Sequence, residues 1–110
     1  MIFDKQGSVT VITRESVSLT TFLDRLHHAY NELKHENLIV NLFSLQKVTP
    51  DDLLLFLDIS NMHRKQKKSF VIVTGSVNYD QIPDELIVAP TLQEAQDIIE
   101  MEEMERDLGF

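Results

Sequence analysis

Cysteine is absent from all 110 residues, which excludes disulfides, zinc-thiolate sites and thiol catalysis. Cations are scarce. Ten Lys and Arg stand against 18 Asp and Glu, and the net charge of −8 argues against direct binding of nucleic acid, which relies on clustered positive charge. No apolar run approaches membrane-spanning length and no charged-then-apolar leader opens the chain, so a cytoplasmic protein with no membrane partner is expected. Glycine is equally rare: Gly75-Ser76 is a lone glycine turn, whereas a phosphate loop needs several glycines and a lysine at fixed offsets. The four histidines are His27, His28, His35 and His63. His28 and His35 lie near Asp24 and Glu32 on the first predicted helix, but adjacent His27 and His28 point about 100° apart, and all read as solvated residues beside an apolar stripe. Ser44, Ser76 and Thr91 are candidates to gather at strand ends, yet no histidine is placed to activate them. The chain is therefore expected to have no catalytic residue, no metal and no cofactor.

What remains is a chain that is 43% hydrophobic, enough for one modest core and a single domain over 1–110. Ile2-Phe3 and Val9 to Thr13 read as short strands around a turn at Gln6-Gly7. Ser18 caps a helix whose Leu19, Phe22, Leu23, Leu26, Tyr30 and Leu33 form one apolar stripe. Leu38 to Leu42 is a strand, and a second helix is predicted from Asp51 to about Lys67. The basic run His63-Arg-Lys-Gln-Lys-Lys68 closes that helix and suits its dipole as a solvated C-terminus. Phe70 to Thr74 is a strand, Asn78 to Glu85 a short connection with room for one helical turn, broken at Pro83, and Leu86 to Ala89 a last strand. The acidic segment 91–110 forms the final helix, opened by the capping box Thr91-Leu-Gln-Glu94. Continuously apolar strands alternating with helices imply an α/β fold, a mixed and mostly parallel sheet of four to five strands with helices packed on it.

The most informative stretch joins the middle strand to the second helix: Asn41-Leu-Phe-Ser-Leu-Gln-Lys-Val-Thr-Pro-Asp-Asp-Leu53. Thr49 is placed to accept an orphan amide, Pro50 has none to satisfy at the first helical position, and Asp51 and Asp52 oppose the positive end of the helix. In open α/β sheets such a strand end beside a helix start is where ligands and partners dock.

This element order and this stretch resemble the STAS domain (sulfate transporter and anti-sigma factor antagonist). The family reads aspartate-leucine-serine, a spaced apolar position, then aspartate-serine-serine-glycine-leucine at the start of its second helix. Its apolar skeleton matches here at Leu42, Leu45, Val48 and Leu53. The polar positions depart from it. Asn41 and Thr49 stand where the family has aspartates, Pro50 and Asp51 where it has the two serines, and Asp52 where it has glycine. In anti-sigma factor antagonists a partner kinase phosphorylates one of those serines. The resemblance thus implies a docking surface without the phosphoacceptor serine, with Asp51 as a permanent carboxylate. The tail from Val88 to Phe110 is also similar to a group of short bacterial STAS-like chains that often travel under the name ribonuclease Z. That enzyme needs a His-x-His-x-Asp-His metal motif, which is absent here, so the similarity implies association with such an enzyme rather than its activity.

Two apolar features point to a partner surface. Leu53 to Leu57 are five apolar residues in a row, and Leu54 falls on the side shared with Asp58 and Asn61. In the last helix Leu92, Ala95 and Ile99 form one stripe and Met101, Met104 and Leu108 another, rotated well over 90° from it, so one straight helix cannot lay both on the same sheet. The expected function is a non-catalytic, regulatory protein-protein interaction module. Its partner is an anti-sigma factor-like protein or another regulator, and a homodimer is compatible with the sequence. The expected contact residues are Asn41, Ser44, Thr49, Asp51, Asp52, Leu54, Asp58, Met101, Met104 and Leu108. Two alternatives stand beside it. One is an accessory partner of an RNA-processing enzyme. The other is a small-ligand sensor at the strand ends near Phe43, Thr74 and Gly75, for which the chain offers few orienting polar groups.

Overall fold

The computed structural model describes residues 1–110 except Ser16, Gln46, Ser76 and Phe110. A five-stranded sheet runs in the order β1 (Ile2–Gln6), β2 (Val9–Thr13), β3 (Asn37–Asn41), β4 (Phe70–Val73), β5 (Ile87–Ala89). β1 pairs antiparallel with β2 through a two-residue turn, Gly7-Ser8, where Gly7 takes a φ of 65° that a side chain would resist. The turn therefore sits one residue later than its sequence position suggested. The other pairings are parallel, with Val11 opposite Ile39, Ile39 opposite Val71 and Val71 opposite Ile87. The expected mostly parallel sheet is present, with the middle strand beginning and ending one residue earlier than expected.

Helix α1 (Leu19–Leu33) starts where Ser18 Oγ accepts the Thr21 amide at 3.2 Å. It buries Phe22, Leu26, Tyr30 and Leu33 at steps of four, four and three residues. With α2 (Pro50–Leu54) and α3 (Leu57–Lys65) it covers one face of the sheet, packing Phe22, Leu26, Leu53, Phe56 and Ile59 on Ile12, Leu38, Val40, Phe70 and Ile72. The last helix, α4 (Leu92–Asp107), covers the other face through Ala95 and Ile99 on Val9, Val11, Ile39, Val71 and Val73. The two hydrophobic layers follow from strands whose neighbouring residues point to opposite faces while both faces are buried. A 3₁₀ turn (Tyr79–Gln81) lies in the β4–β5 connection.

The second helix is not the single element expected. It breaks between Leu54 and Leu57, where the Phe56 amide bonds to the Leu53 carbonyl at 3.0 Å, a three-residue step. Tightening the turn there brings Phe56 beside Phe22, with ring centroids 6.2 Å apart. α3 then ends without glycine: Lys67 takes the left-handed φ of 61° that closes the helix. The basic run is likewise not solvated throughout. His63 is fully buried beneath α1, while Lys65 and Lys67 are exposed.

Candidate functional site

The carboxyl ends of β2 and β4 meet the loop that leads from β3 to the start of α2. Asn41, half-buried at the end of β3, turns the chain: its Oδ1 accepts the Phe43 amide at 3.0 Å and its carbonyl accepts the Arg14 amide at 3.2 Å. Ser44 Oγ donates to the Arg14 carbonyl at 3.3 Å, tying this loop to the end of β2. Thr49 and Asp52 then close a reciprocal box. Thr49 Oγ1 accepts the Asp52 amide at 3.1 Å and Asp52 Oδ2 accepts the Thr49 amide at 3.0 Å. The Thr49 cap and Pro50 at the helix start stand as expected; the second bond, from the Thr49 amide to the Asp52 carboxylate, was not foreseen, because aspartate stands where the usual capping box has the longer glutamate or glutamine. Asp51, in the same first turn, is exposed.

Around this polar frame the surface is apolar. Phe43 is 61% exposed, Leu54 43% and Leu55 41%, while Leu53 and Phe56 on either side are wholly buried. Five successive apolar residues thus divide, because a helix surface turns about 100° per residue and only part of it faces the core. Asp58 is exposed one turn further on, past the break. Leu55 was not singled out in the sequence, since a continuous helix would stack it on the buried Ile59 side, and the break after Leu54 turns it outward. The Phe43 ring lies over Gly75, 3.8 Å from where a Cβ would stand, and Thr74 is buried. Ser76 lies outside the described residues, Ser44 is bound to the Arg14 carbonyl, and Thr91 Oγ1 caps α4 by accepting the Glu94 amide at 3.1 Å.

The two stripes of α4 are separated by polar chemistry rather than by a bend. Past Ile99 the inward face becomes Glu102, Glu103 and Arg106, which meet a buried polar pair, Asn37 and Ser69. Asn37 Oδ1 accepts the Ser69 amide at 2.9 Å, and Asn37 Nδ2 donates to Glu103. Ser69 Oγ donates to Glu102 at 2.5 Å and accepts from Arg106 Nη1 at 3.2 Å. Glu102 also pairs with Arg64 at 3.4 Å. These bonds hold one continuous helix with Met101 and Met104 each 64% exposed and Leu108 72% exposed. Met101, Met104 and Leu108 therefore do not join the first group of site residues: they lie across the sheet from α2.

The histidines divide in the same way. His28 Nδ1 bonds to the Asp24 carbonyl at 2.8 Å on the exposed side of α1, and among the described residues no group of three or more potential ligands is placed to hold a metal. His63 was missed as a structural centre. Its Nδ1 lies 2.7 Å from Tyr30 Oη and its Nε2 2.7 Å from the Glu36 carbonyl. Burial pushes its pKa below the usual histidine range, helped by the positive Lys68 and opposed by the bond to Glu36. Burial also raises the Tyr30 pKa. Its place in a basic run concealed it, because the run's helical period puts one residue in four against the core.

Among the described residues no helix is long and apolar enough to cross a membrane. No family model and no curated protein matches the sequence. Solved structures do. A serine-to-glutamate variant of RsbS from Moorella thermoacetica is similar with a TM-score of 0.66 and 17% identity, covering 91% of this chain and 94% of that one. A chain from the molecular architecture of the stressosome, described as a signal integration and transduction hub, has a TM-score of 0.61 and 17% identity, with 91% and 96% covered. Both are STAS-domain proteins, and the shared sheet, helix order and near-complete coverage show that this chain has the STAS fold.

Proposed function

We propose that the chain is a non-catalytic, regulatory protein-interaction module that docks a protein partner at the β3–α2 junction. The observation that carries this reading is the exposed apolar group Phe43, Leu54 and Leu55 beside a rigidly capped helix start. Exposed apolar side chains on a framework held by Asn41, Ser44 and the Thr49–Asp52 box suit a preformed protein contact, with Asp51 and Asp58 as its charged rim. The likeness to a component of a signalling assembly supports the same class of function. Binding here is constitutive rather than kinase-controlled, because Asp51 carries a permanent charge where the resembling antagonists carry a serine, with the charged Asp52 beside it. Thr49 is a poor phosphoacceptor, since its hydroxyl is engaged in the cap.

The test is isolation of the partner from the native cell with the full chain as bait, followed by affinity measurement with variants. Leu54→Asp should weaken binding by about tenfold or more, as truncating an interface anchor does. Asp51→Ser should leave it within about threefold, a rim effect. Unchanged affinity in Leu54→Asp with the fold intact would place the interface elsewhere and overturn the proposal.

A further inference from the structure

The outer face of α4 has no counterpart in the docking surface described above. It lies on the other side of the sheet and combines two observations. The first is an apolar stripe. Met101, Met104 and Leu108 follow one another at steps of three and four residues, so they line one side of the helix, roughly opposite the side that Ala95 and Ile99 lay on the sheet. At its N-terminal end the stripe runs into a groove of about 340 Å³ between α4 and β5, floored by Val88, Ala89, Ile98 and Met101. β5 is the last strand of the sheet, so the groove opens at the sheet's edge. From Ile98 to Leu108 the apolar path is about 15 Å long at 1.5 Å per residue, the length of nearly three helical turns.

The second observation is charge. Glu94, Asp97, Glu100, Glu105 and Asp107 are all exposed on this helix. The 100° step places Glu94 and Glu105 on the β5 side of the methionine stripe and Glu100 and Asp107 on the other. The helix's single cation, Arg106, is turned inward onto Asn37 and Ser69. Glu102 and Glu103 are likewise committed inward. The apolar path is therefore bordered on both sides by carboxylates with no cation among them.

A second copy of this chain fits poorly, because pairing two such stripes would set acid against acid along both borders. An anionic membrane is repelled for the same reason. We propose that the outer face of α4 docks a basic amphipathic helix, with its apolar side on Ile98, Met101, Met104 and Leu108 and its Lys or Arg flanks against the bordering carboxylates. Methionine suits this role because its unbranched, polarizable side chain adapts to partner shape.

The experiment titrates the full chain into a fluorescently labelled synthetic helix of leucine at helical spacing and lysine elsewhere, about four turns long, read by anisotropy at about 0.15 M salt. Saturable 1:1 binding is expected, weakening as salt rises. The decisive variant is Met101→Glu/Met104→Glu, which keeps helix propensity, touches only exposed positions and makes the chain more negative. The proposal requires it to bind at least about tenfold more weakly, whereas attraction by net charge alone would leave binding equal or tighter. Glu94→Lys/Glu105→Lys should also weaken binding, a glutamate-for-lysine version of the peptide should not bind, and Leu54→Asp should bind the peptide like the parent. Failure at the β3–α2 junction is thereby kept separate from failure here. Equal or tighter binding by the methionine double variant would overturn the proposal. So would a dimer of the parent chain in sedimentation that the same variant dissociates, which would make the occupant a second copy.

Discussion

Removing the Tyr30 hydroxyl in a Tyr30→Phe variant should destabilise the protein by about 2 kcal/mol without leaving a cavity, the penalty for an unpaired buried acceptor. The Glu36 carbonyl can only accept a hydrogen bond. His63 Nε2, 2.7 Å from it, must therefore carry the ring proton. Nδ1 is then an acceptor, and its donor is Tyr30 Oη at 2.7 Å. His63 is wholly buried, with its ring edge-on to Tyr30 at 5.5 Å and to Phe70 at 6.2 Å, so no water takes the place of the lost hydroxyl. Phenylalanine preserves the ring and its packing, which isolates the polar loss. With a urea m-value of about 2 kcal/mol per molar, the unfolding midpoint should fall by about 1 M with m unchanged. Tyr79→Phe is the control, since Tyr79 lies at the surface and such surface changes stay within about 0.5 kcal/mol. A Tyr30→Phe midpoint no lower than that of Tyr79→Phe would refute the assigned tautomer and the role of the pair.

Three further outcomes follow from the same contacts. Because burial lowers the His63 pKa, the unfolded chain binds more protons than the folded one below the ordinary histidine value of about 6.5, so stability is full above that value and falls as pH drops through it, by up to about 1.4 kcal/mol per pH unit; urea midpoints that stay flat from neutral pH down to about pH 5 would contradict this. Thr49→Ala and Asp52→Ala should each cost about 1 kcal/mol, and the double variant less than their sum, because each removes one half of a reciprocal box; strict additivity in a double-mutant cycle would show the two bonds to be independent. The purified chain should show no nuclease, phosphatase or nucleotide hydrolase activity with zinc, manganese or magnesium, and turnover of a tRNA precursor that survives removal of contaminating enzymes would refute a non-catalytic role.

Much of the architecture was legible because it is written in local terms. Continuously apolar strands, helical spacing in Phe22, Leu26, Tyr30 and Leu33, and the caps Ser18, Thr49 and Thr91 are short-range signals, and each is realised where it stands in the chain. The exposure of Leu54 and of the Met101, Met104 and Leu108 stripe was legible for the same reason: a helix has too few core-facing positions for every apolar residue it carries. The break after Leu54 was not, because no glycine or proline marks it. It exists so that Phe56 can reach Phe22 from α1, a contact 34 residues apart in sequence. His63 escaped for a related reason: its partners, Tyr30 and Glu36, come from α1 and from the residue before β3, and nothing near position 63 announces them. Which stripe of α4 would face the sheet was likewise decided across space, by Asn37 and Ser69 meeting Glu102, Glu103 and Arg106. The sequence by itself determined the elements, their caps and their apolar faces, since those depend on neighbours within a turn or two. The tertiary structure alone decided which residues at the element ends are buried with a polar partner and which remain free to dock, because burial of a polar group depends on what chain folding brings opposite it.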